Sequence, residues 1–228
     1  MTNVAIIPAR ANDFVQHLVL RTLAGKPLLL YTIEAAKSSQ VFSKILVVTE
    51  DAKIAELAKF SGAEVILQPP HLSAKGVPIE DVAKFALLQM EKDSHVPEVI
   101  AILFPNSPFK HPAKIAEAVQ KLRETKADFV VPVFERKKHF YVKDPGEGLK
   151  PLFAKRLTRT EGESIYEENG TMFVAFTTSL DRENLQHKKI EPVLMSFEES
   201  LNIDSEFDFW LAEKIALERL KQTKAQST

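Results

Sequence analysis

Oxygen-bearing side chains near the C-terminus are spaced so that both could face one metal ion. Asn202 and Asp204 lie two residues apart, and in an extended segment residues i and i+2 point to the same side. Asp204 supplies a carboxylate but Asn202 only a neutral carbonyl oxygen, so we expect Mg²⁺ to bind weakly until a ligand oxygen completes its shell. An alternative explains Asp204 about equally well: Asp204 or Ser205 could cap the helix predicted over residues 206–221.

A second candidate stretch follows the first predicted strand. Residues 4–7 form a short apolar run bounded by Pro8, and Arg10 opens a loop that ends where an apolar helix begins near Pro27. A buried strand, a loop and a helix form the usual start of an open α/β sheet. Because ligands of such sheets bind at the carboxyl ends of the strands, the sequence predicts a binding loop here.

The composition excludes several classes of function. The chain has no cysteine, which rules out a disulfide framework, a thiolate zinc site and a cysteine nucleophile. Its motifs argue against histidine metal ligands, a nicotinamide cofactor and a Walker-type ATPase. The formal net charge of −1 indicates neither a nucleic-acid nor a membrane partner. Without a signal-like segment or a run approaching roughly 20 apolar residues, we expect a cytoplasmic protein.

Strand and helix patterns alternate from residue 4 to residue 133, which predicts an α/β fold with a mostly parallel sheet and helices on both faces. Residues 99–104 are the most apolar run and belong at its centre, whereas residues 190–195 form an outer strand. A basic run over residues 136–139 is more typical of a solvated turn than of a nucleic-acid site. The last helix is expected to face the sheet with Phe207, Trp210, Leu211, Ile215 and Leu220.

Several motifs resemble those of the N-acylneuraminate cytidylyltransferases, and the related 3-deoxy-octulosonate cytidylyltransferases open in a similar way. The N-terminal matches are Ile-Ile-Pro-Ala-Arg at 6–10, Leu-Ala-Gly-Lys-Pro-Leu at 23–28 and Tyr-Thr-Ile-Glu-Ala-Ala at 31–36. Further matches are Pro-Asn-Ser-Pro at 105–108, Tyr-Glu-Glu-Asn-Gly at 166–170 and Ser-Leu-Asn-Ile-Asp at 200–204. The resemblance therefore extends over nearly the whole chain.

The resemblance implies that the chain transfers CMP from CTP to an acylneuraminate-like sugar acid and releases pyrophosphate, with Mg²⁺ as cofactor. It implies one Rossmann-like nucleotidyltransferase domain, residues 1–228, in which an arm at about residues 135–165 pairs two subunits of a homodimer. Arg10 and Asp204 would be catalytic. The other implied contacts are Ala9, Arg10, Asn12, Asn106 and Ser107 for the nucleotide, Phe104, Arg159, Tyr166, Asn169 and Gly170 for the sugar, and Asp204 and Asn202 for the metal.

The sequence also departs from the family pattern, which leaves two hypotheses open. Residues 11–20 lack the glycines and lysines that the family places after the arginine. Phe104 replaces a glutamine, Lys110 an arginine, and Asn202 the first of two aspartates. The first hypothesis is an active cytidylyltransferase with a variant loop. The second is a catalytically impaired relative that serves as a nucleotide-binding, sugar-binding or assembly protein.

Overall fold

The computed structural model describes residues 2–11, 17–92, 96–144, 146, 148–153, 164–180 and 187–226. The strands, in chain order, are β1 (Asn3–Pro8), β2 (Thr22–Leu23), β3 (Lys26–Pro27), β4 (Lys44–Thr49), β5 (Glu64–Leu67), β6 (Val99–Leu103), β7 (Phe129–Arg136), β8 (Tyr141–Asp144), β9 (Gly148–Pro151), β10 (Ile165–Glu168), β11 (Met172–Phe176) and β12 (Ile190–Leu194). The α-helices are α1 (Leu28–Ser38), α2 (Ala52–Phe60), α3 (Ile79–Lys92), α4 (Pro112–Thr125) and α5 (Glu206–Gln226).

The main sheet has the order β10-β7-β11-β6-β1-β4-β5, and β12 pairs with β7 as well. The pairs β1–β4, β1–β6, β4–β5 and β7–β12 are parallel, whereas β10 and β11 run antiparallel to their neighbours. The apolar strand β6 lies inside the sheet between β1 and β11, and β12 pairs with β7 alone. This arrangement confirms the mostly parallel α/β sheet that the alternating pattern predicts.

Helices cover both faces of the sheet because the inner strands are apolar on both sides. Along β1, Ala5 and Ile7 pack in the core that includes residues of α1, α2 and α4. Val4 and Ile6 point the opposite way, into the core that α3 completes. Strands buried on both faces read as continuous apolar runs, which is the pattern that identified them in the sequence.

The packing of α5 corrects one prediction. Phe207, Trp210 and Leu220 are exposed, and the rings of Phe207 and Trp210 stack on each other with centroids 5.7 Å apart. The helix instead buries Phe209 and two alanines in a third core that includes Phe109 of the turn after β6. The prediction was wrong for these three exposed residues, whereas Ile215 packs partly buried against the same core as predicted. It missed the two alanines because it weighted large apolar side chains.

A separate hairpin, β8–β9, lies within the segment predicted to form an arm. Its side chains Tyr141, Val142 and Leu149 are more than half exposed, at 51%, 55% and 67%. Residues 145, 147 and 154–163 of the same segment lie outside the described residues. In the part of the chain that the structure describes, no helix is long and apolar enough to span a membrane.

Candidate functional site

Three separate segments bring polar side chains together at the end of strand β6. The first is the turn over residues 105–110, which follows β6 directly. The second is the break between β10 and β11, because β11 runs antiparallel to β6 and its first residue, Met172, lies opposite Leu103. The third is the segment over residues 200–205 that leads into α5. The carboxyl end of a central strand is where open α/β sheets bind ligands.

Direct hydrogen bonds join the first and third segments. Asn106 donates from Nδ2 to Asp204 Oδ1 at 3.0 Å, and its carbonyl oxygen accepts from the backbone N–H of Ile203 at 2.9 Å. The hydroxyl of Ser107, which is fully buried, donates to Asn202 Oδ1. The structure therefore brings together four residues that the sequence assigned to nucleotide and metal binding.

Asn169 links the second segment to the third. Its side chain is buried, donates from Nδ2 to Ser200 Oγ at 2.9 Å and accepts from the backbone N–H of Thr171 at 3.1 Å. Its backbone oxygen accepts from Asn202 Nδ2 at 2.5 Å. Gly170 follows with φ +64°, a conformation that favours glycine. Asn169, predicted to contact the sugar, thus uses its side chain within the protein and holds Asn202 in place.

The start of α5 separates the two explanations for Asp204. Ser205 Oγ accepts from the backbone N–H of Asp208 at 3.2 Å, and Asp208 Oδ2 accepts from Ser205 Oγ at 2.6 Å and from Asp204 N at 3.2 Å. Ser205 is therefore the cap of α5, in a variant of the capping box in which Asp208 reaches back to the N–H of Asp204 instead of that of Ser205. Asp204 itself is exposed and directs a carboxylate oxygen to Asn106. Its carboxylate is thus available for a ligand.

The described residues offer few metal ligands. They contain no cluster of three or more histidine, aspartate or glutamate side chains that could hold an ion. Asn202 makes hydrogen bonds with both ends of its side-chain amide, to Ser107 and to the Asn169 backbone. Asp204 supplies an exposed carboxylate. This donor set fits an ion that takes most of its oxygens from water and from a bound ligand.

A buried lysine side chain packs against the turn over residues 105–110. Lys110 is only 4% exposed, and its ammonium donates to the carbonyl oxygens of Phe104, at 2.6 Å, and Ser107. Burial lowers the pKa of Lys110 from its ordinary value of 10.5 to about 7, because the charged form is poorly solvated there. The sequence recorded this lysine only as a replacement for an arginine.

The loop after β1 is held by a second polar network. The Arg10 guanidinium donates to the carbonyl oxygens of Ala74 and Val77, both at 3.3 Å. The carboxylate of Glu50 accepts from the backbone N–H of Ala11 at 2.9 Å and from Gln68 Nε2 at 3.2 Å. Arg10 is thus fixed at the carboxyl end of β1. Glu50 takes up a backbone donor that an anion could otherwise use.

The other residues predicted for nucleotide or sugar binding are not all part of these polar networks. Ala9 is buried and continues the β1 ladder, with its N–H bonded to Val48 O at 2.9 Å. Phe104 is half-buried and packs against the core under α3. Tyr166 is 54% exposed on β10. Asn12 and Arg159 lie outside the described residues, so their predicted contacts remain predictions.

Sequence reasoning assigned no contact to Glu50, Lys110 or Ser200, which the structure places in the polar networks described above. For Glu50, its place directly after a buried strand is a signal, because ligands of open α/β sheets bind at the carboxyl ends of the strands. Ser200 matched the family motif that contains Asn202 and Asp204, but nothing in the sequence indicated its contact with Asn169, which is distant along the chain.

Comparisons with known proteins identify relatives of this chain. The N-acylneuraminate cytidylyltransferase of Escherichia coli is 32% identical over 232 aligned positions, which cover 96% of this chain and 53% of that protein. The chain thus spans about half the length of that relative. The CMP-N,N'-diacetyllegionaminic acid synthase of Legionella pneumophila is 29% identical over 223 positions, which cover 94% of this chain and 96% of that protein.

The fold and the family follow from two further matches. The solved structure of CMP:2-keto-3-deoxy-manno-octonic acid synthetase complexed with CTP has a TM-score of 0.66 and 14% sequence identity, with 100% of both chains covered. This likeness shows a shared nucleotidyltransferase fold. Residues 4–227 match the family model described as Cytidylyltransferase. The chain therefore belongs to the cytidylyltransferase family.

Proposed function

We propose that this chain transfers CMP from CTP to an acylneuraminate-like sugar acid and releases pyrophosphate. Family membership and the two relatives, which are named for CMP–sugar-acid synthesis, support this proposal. The observation that carries it is the contact between Asn106 and Asp204, because it joins the turn after the central strand to an exposed carboxylate. Both residues belong to motifs that identified the family in the sequence.

Arg10 contributes a fixed positive charge to the proposed reaction. Its guanidinium is tied to two carbonyl oxygens at the carboxyl end of the sheet, so its position is set before a ligand arrives. A preorganised cation stabilises charge that develops on a departing pyrophosphate. The sugar hydroxyl attacks the α-phosphorus while the bond to pyrophosphate breaks, and the protein mainly holds the two reactants in line.

Asp204 is the residue proposed to hold Mg²⁺, with Asn202 beside it. The bound ion would neutralise phosphate charge, which is its usual contribution in such reactions. Because Asn202 is already hydrogen-bonded to Ser107 and Asn169, the protein alone offers mainly one carboxylate. Binding of Mg²⁺ is therefore expected to depend on the nucleotide.

A second candidate function is an impaired relative that binds ligands without turning them over. The observation that favours it is the hydrogen bond from Ala11 N to Glu50, since a carboxylate there repels phosphate. Family membership and the intact contact between Asn106 and Asp204 weigh more heavily for the enzyme.

We also propose that the protein forms a homodimer, in which two subunits pair through the segment around the β8–β9 hairpin.

Measurement of pyrophosphate release tests the proposal directly. The protein is incubated with CTP, Mg²⁺ and, in turn, N-acetylneuraminate, N,N'-diacetyllegionaminate and 2-keto-3-deoxy-manno-octonate. We expect release with at least one sugar acid, none without sugar, and release slower by about 100-fold or more from the Asp204→Asn variant. No release with any sugar acid, together with measurable CTP binding, would contradict the enzyme and support the impaired relative.

A further inference from the structure

Lys110 occupies an unusual place for a charged residue. Among the residues that the structure describes, it is the only lysine, arginine, aspartate or glutamate classed as buried. Removing an ammonium from water is costly, and a buried lysine is rare without a specific partner. Replacement of buried charged groups by apolar ones of similar volume is often neutral or stabilising. The charge therefore calls for an explanation other than packing.

The backbone around the turn supplies that explanation. Strand β6 ends at Leu103, and the turn contains Pro105 and Pro108, which have no N–H to donate. The backbone hydrogen bond to the carbonyl oxygen of Phe104 is long, because the N–H of Ser107 lies 3.3 Å away. The amino group of lysine carries two N–H donors when neutral and three when charged, and the two bonds made here reach the carbonyl oxygens at both ends of this short span.

The same span carries the contacts that build the candidate site. Asn106 lies between the two clamped carbonyls and reaches Asp204 with its side chain and Ile203 with its backbone. Ser107, whose carbonyl Lys110 holds, reaches Asn202 with its hydroxyl. A displacement of the turn would thus move both residues that support the proposed metal-binding segment.

We propose that Lys110 is a positioning residue, whose terminal amino group fixes the geometry of the candidate site by donating hydrogen bonds to two carbonyl oxygens of the turn after β6. It touches neither substrate nor metal and acts through Asn106 and Ser107. Only its consequence for catalysis rests on the proposed function. Its effect on the turn is a property of the free protein and can be measured without CTP.

Because the chain has no cysteine, a single introduced thiol can be converted into a charged or an uncharged side chain of nearly the same shape. In Lys110→Cys, the single thiol is alkylated in the unfolded state and the protein is refolded. Bromoethylamine restores an ammonium on a chain of lysine length, whereas bromopropane gives an uncharged chain of nearly the same shape. The Lys110→Met variant avoids refolding, and Lys84→Met, at an exposed position of α3, is its control.

The first readout is hydrogen exchange of the Ile203 amide, which is bonded to Asn106, compared with the amides of β1 and β6. We expect exchange at Ile203 to be about 10-fold faster in the Met and S-propyl proteins, with the strand amides unchanged. The S-aminoethyl protein and Lys84→Met should behave like the wild type. Unchanged exchange at Ile203, equal acceleration in the two alkylated proteins, or equal loss of protection in the strands would each overturn the proposal.

Turnover is the second readout and separates the two proposals. If the cytidylyltransferase reaction is detected, kcat should fall roughly 100-fold in Lys110→Met because small misplacements are costly, and the S-aminoethyl protein should recover it. Unchanged kcat in Lys110→Met would also overturn the positioning role. If the wild type shows no turnover, the proposed function fails, and the exchange measurement alone decides for or against Lys110.

Discussion

Asn106 and Asp204 are joined by a hydrogen bond of 3.0 Å from Nδ2 to Oδ1, although they are separated by most of the C-terminal half of the chain. The bond leaves Asp204 exposed and leaves the capping of α5 to Ser205. The carboxylate and the cap are therefore different residues, and their roles can be separated by substitution.

Substitution Asp204→Asn should abolish most turnover while leaving stability almost unchanged. The asparagine keeps an oxygen that can accept from Asn106 but loses the negative charge proposed for Mg²⁺. We expect pyrophosphate release to fall by about 100-fold or more, as for the loss of one preorganised electrostatic contact. Thermal unfolding of the variant should match that of the wild type.

Ser205→Ala is the matched control, because it removes the cap and keeps the carboxylate. Loss of a serine cap typically costs about 1 kcal/mol of stability. We expect a lower free energy of unfolding in urea with kcat close to the wild-type value. A large loss of stability in Asp204→Asn, with turnover retained, would show that Asp204 supports the fold and not the reaction.

Much of the fold could be predicted because its signals are local. The apolar run over residues 99–104 marked a strand buried on both faces, and the alternation of strand and helix patterns marked the mostly parallel sheet. These features depend on neighbouring residues in the sequence. The same holds for the motif residues Asn106 and Ser107, whose place after a central strand followed from the pattern.

The rest depended on contacts that are distant in sequence. The buried face of α5 combines Phe209 with Ala212 and Ala216, and the small size of the alanines does not mark them as core residues in the sequence. Lys110 gave no signal of burial, because lysine is mostly a surface residue and its two acceptors are backbone atoms. Asn169 matched a family motif, but its partner Ser200 is fixed only by the fold.

Stability should rise with pH between about 7 and 10.5 because of Lys110. Its pKa falls from 10.5 to about 7 on folding, so in this window the unfolded chain binds more protons than the folded one. The stability that the neutral amine allows is thus fully present at high pH and is lost as the pH falls towards 7. Urea unfolding of the wild type and Lys110→Met should show a difference that grows in favour of the wild type, by at most about 1.4 kcal/mol per pH unit. A difference that does not change with pH would contradict the lowered pKa.

Leu149→Glu should weaken the proposed homodimer. Leu149 is 67% exposed on the β8–β9 hairpin, and a charge placed in an apolar subunit contact is costly to desolvate. Light scattering at micromolar concentration should show a dimer for the wild type and a monomer for the variant. Leu88→Glu, at a 58% exposed position of α3, is the control and should remain dimeric. A monomeric wild type would refute the proposed assembly.

Arg159→Ala should affect the sugar acid and spare the nucleotide. Arg159 lies outside the described residues, and its predicted role comes from the family pattern, in which an arginine binds the carboxylate of the sugar. We expect a KM for the sugar acid about 10-fold higher or more, since a charge-assisted hydrogen bond contributes about 1.5–3 kcal/mol. The KM for CTP should stay near the wild-type value. Equal increases in KM for both substrates would show that Arg159 does not act specifically on the sugar acid.

Asn202→Asp should strengthen metal binding at the expense of stability. The new carboxylate would stand beside Asp204 and give Mg²⁺ a second anionic oxygen, so titration calorimetry should show tighter binding in the absence of nucleotide. The same change removes the Nδ2 donor that now reaches the carbonyl oxygen of Asn169 at 2.5 Å and leaves two oxygens facing each other. Because an unsatisfied buried acceptor costs about 1–3 kcal/mol, the variant should unfold at a lower temperature without Mg²⁺ and regain stability as the ion is added.

Asn202→Ala is the control for this last prediction. It also removes the donor to Asn169 but adds no charge, so it should be destabilised without any gain from Mg²⁺. Recovery of Asn202→Asp by Mg²⁺, but not of Asn202→Ala, would place the ion at residues 202 and 204. Equal behaviour of the two variants would mean that Mg²⁺ does not bind there, because the added carboxylate is the only feature that distinguishes their affinity for a cation.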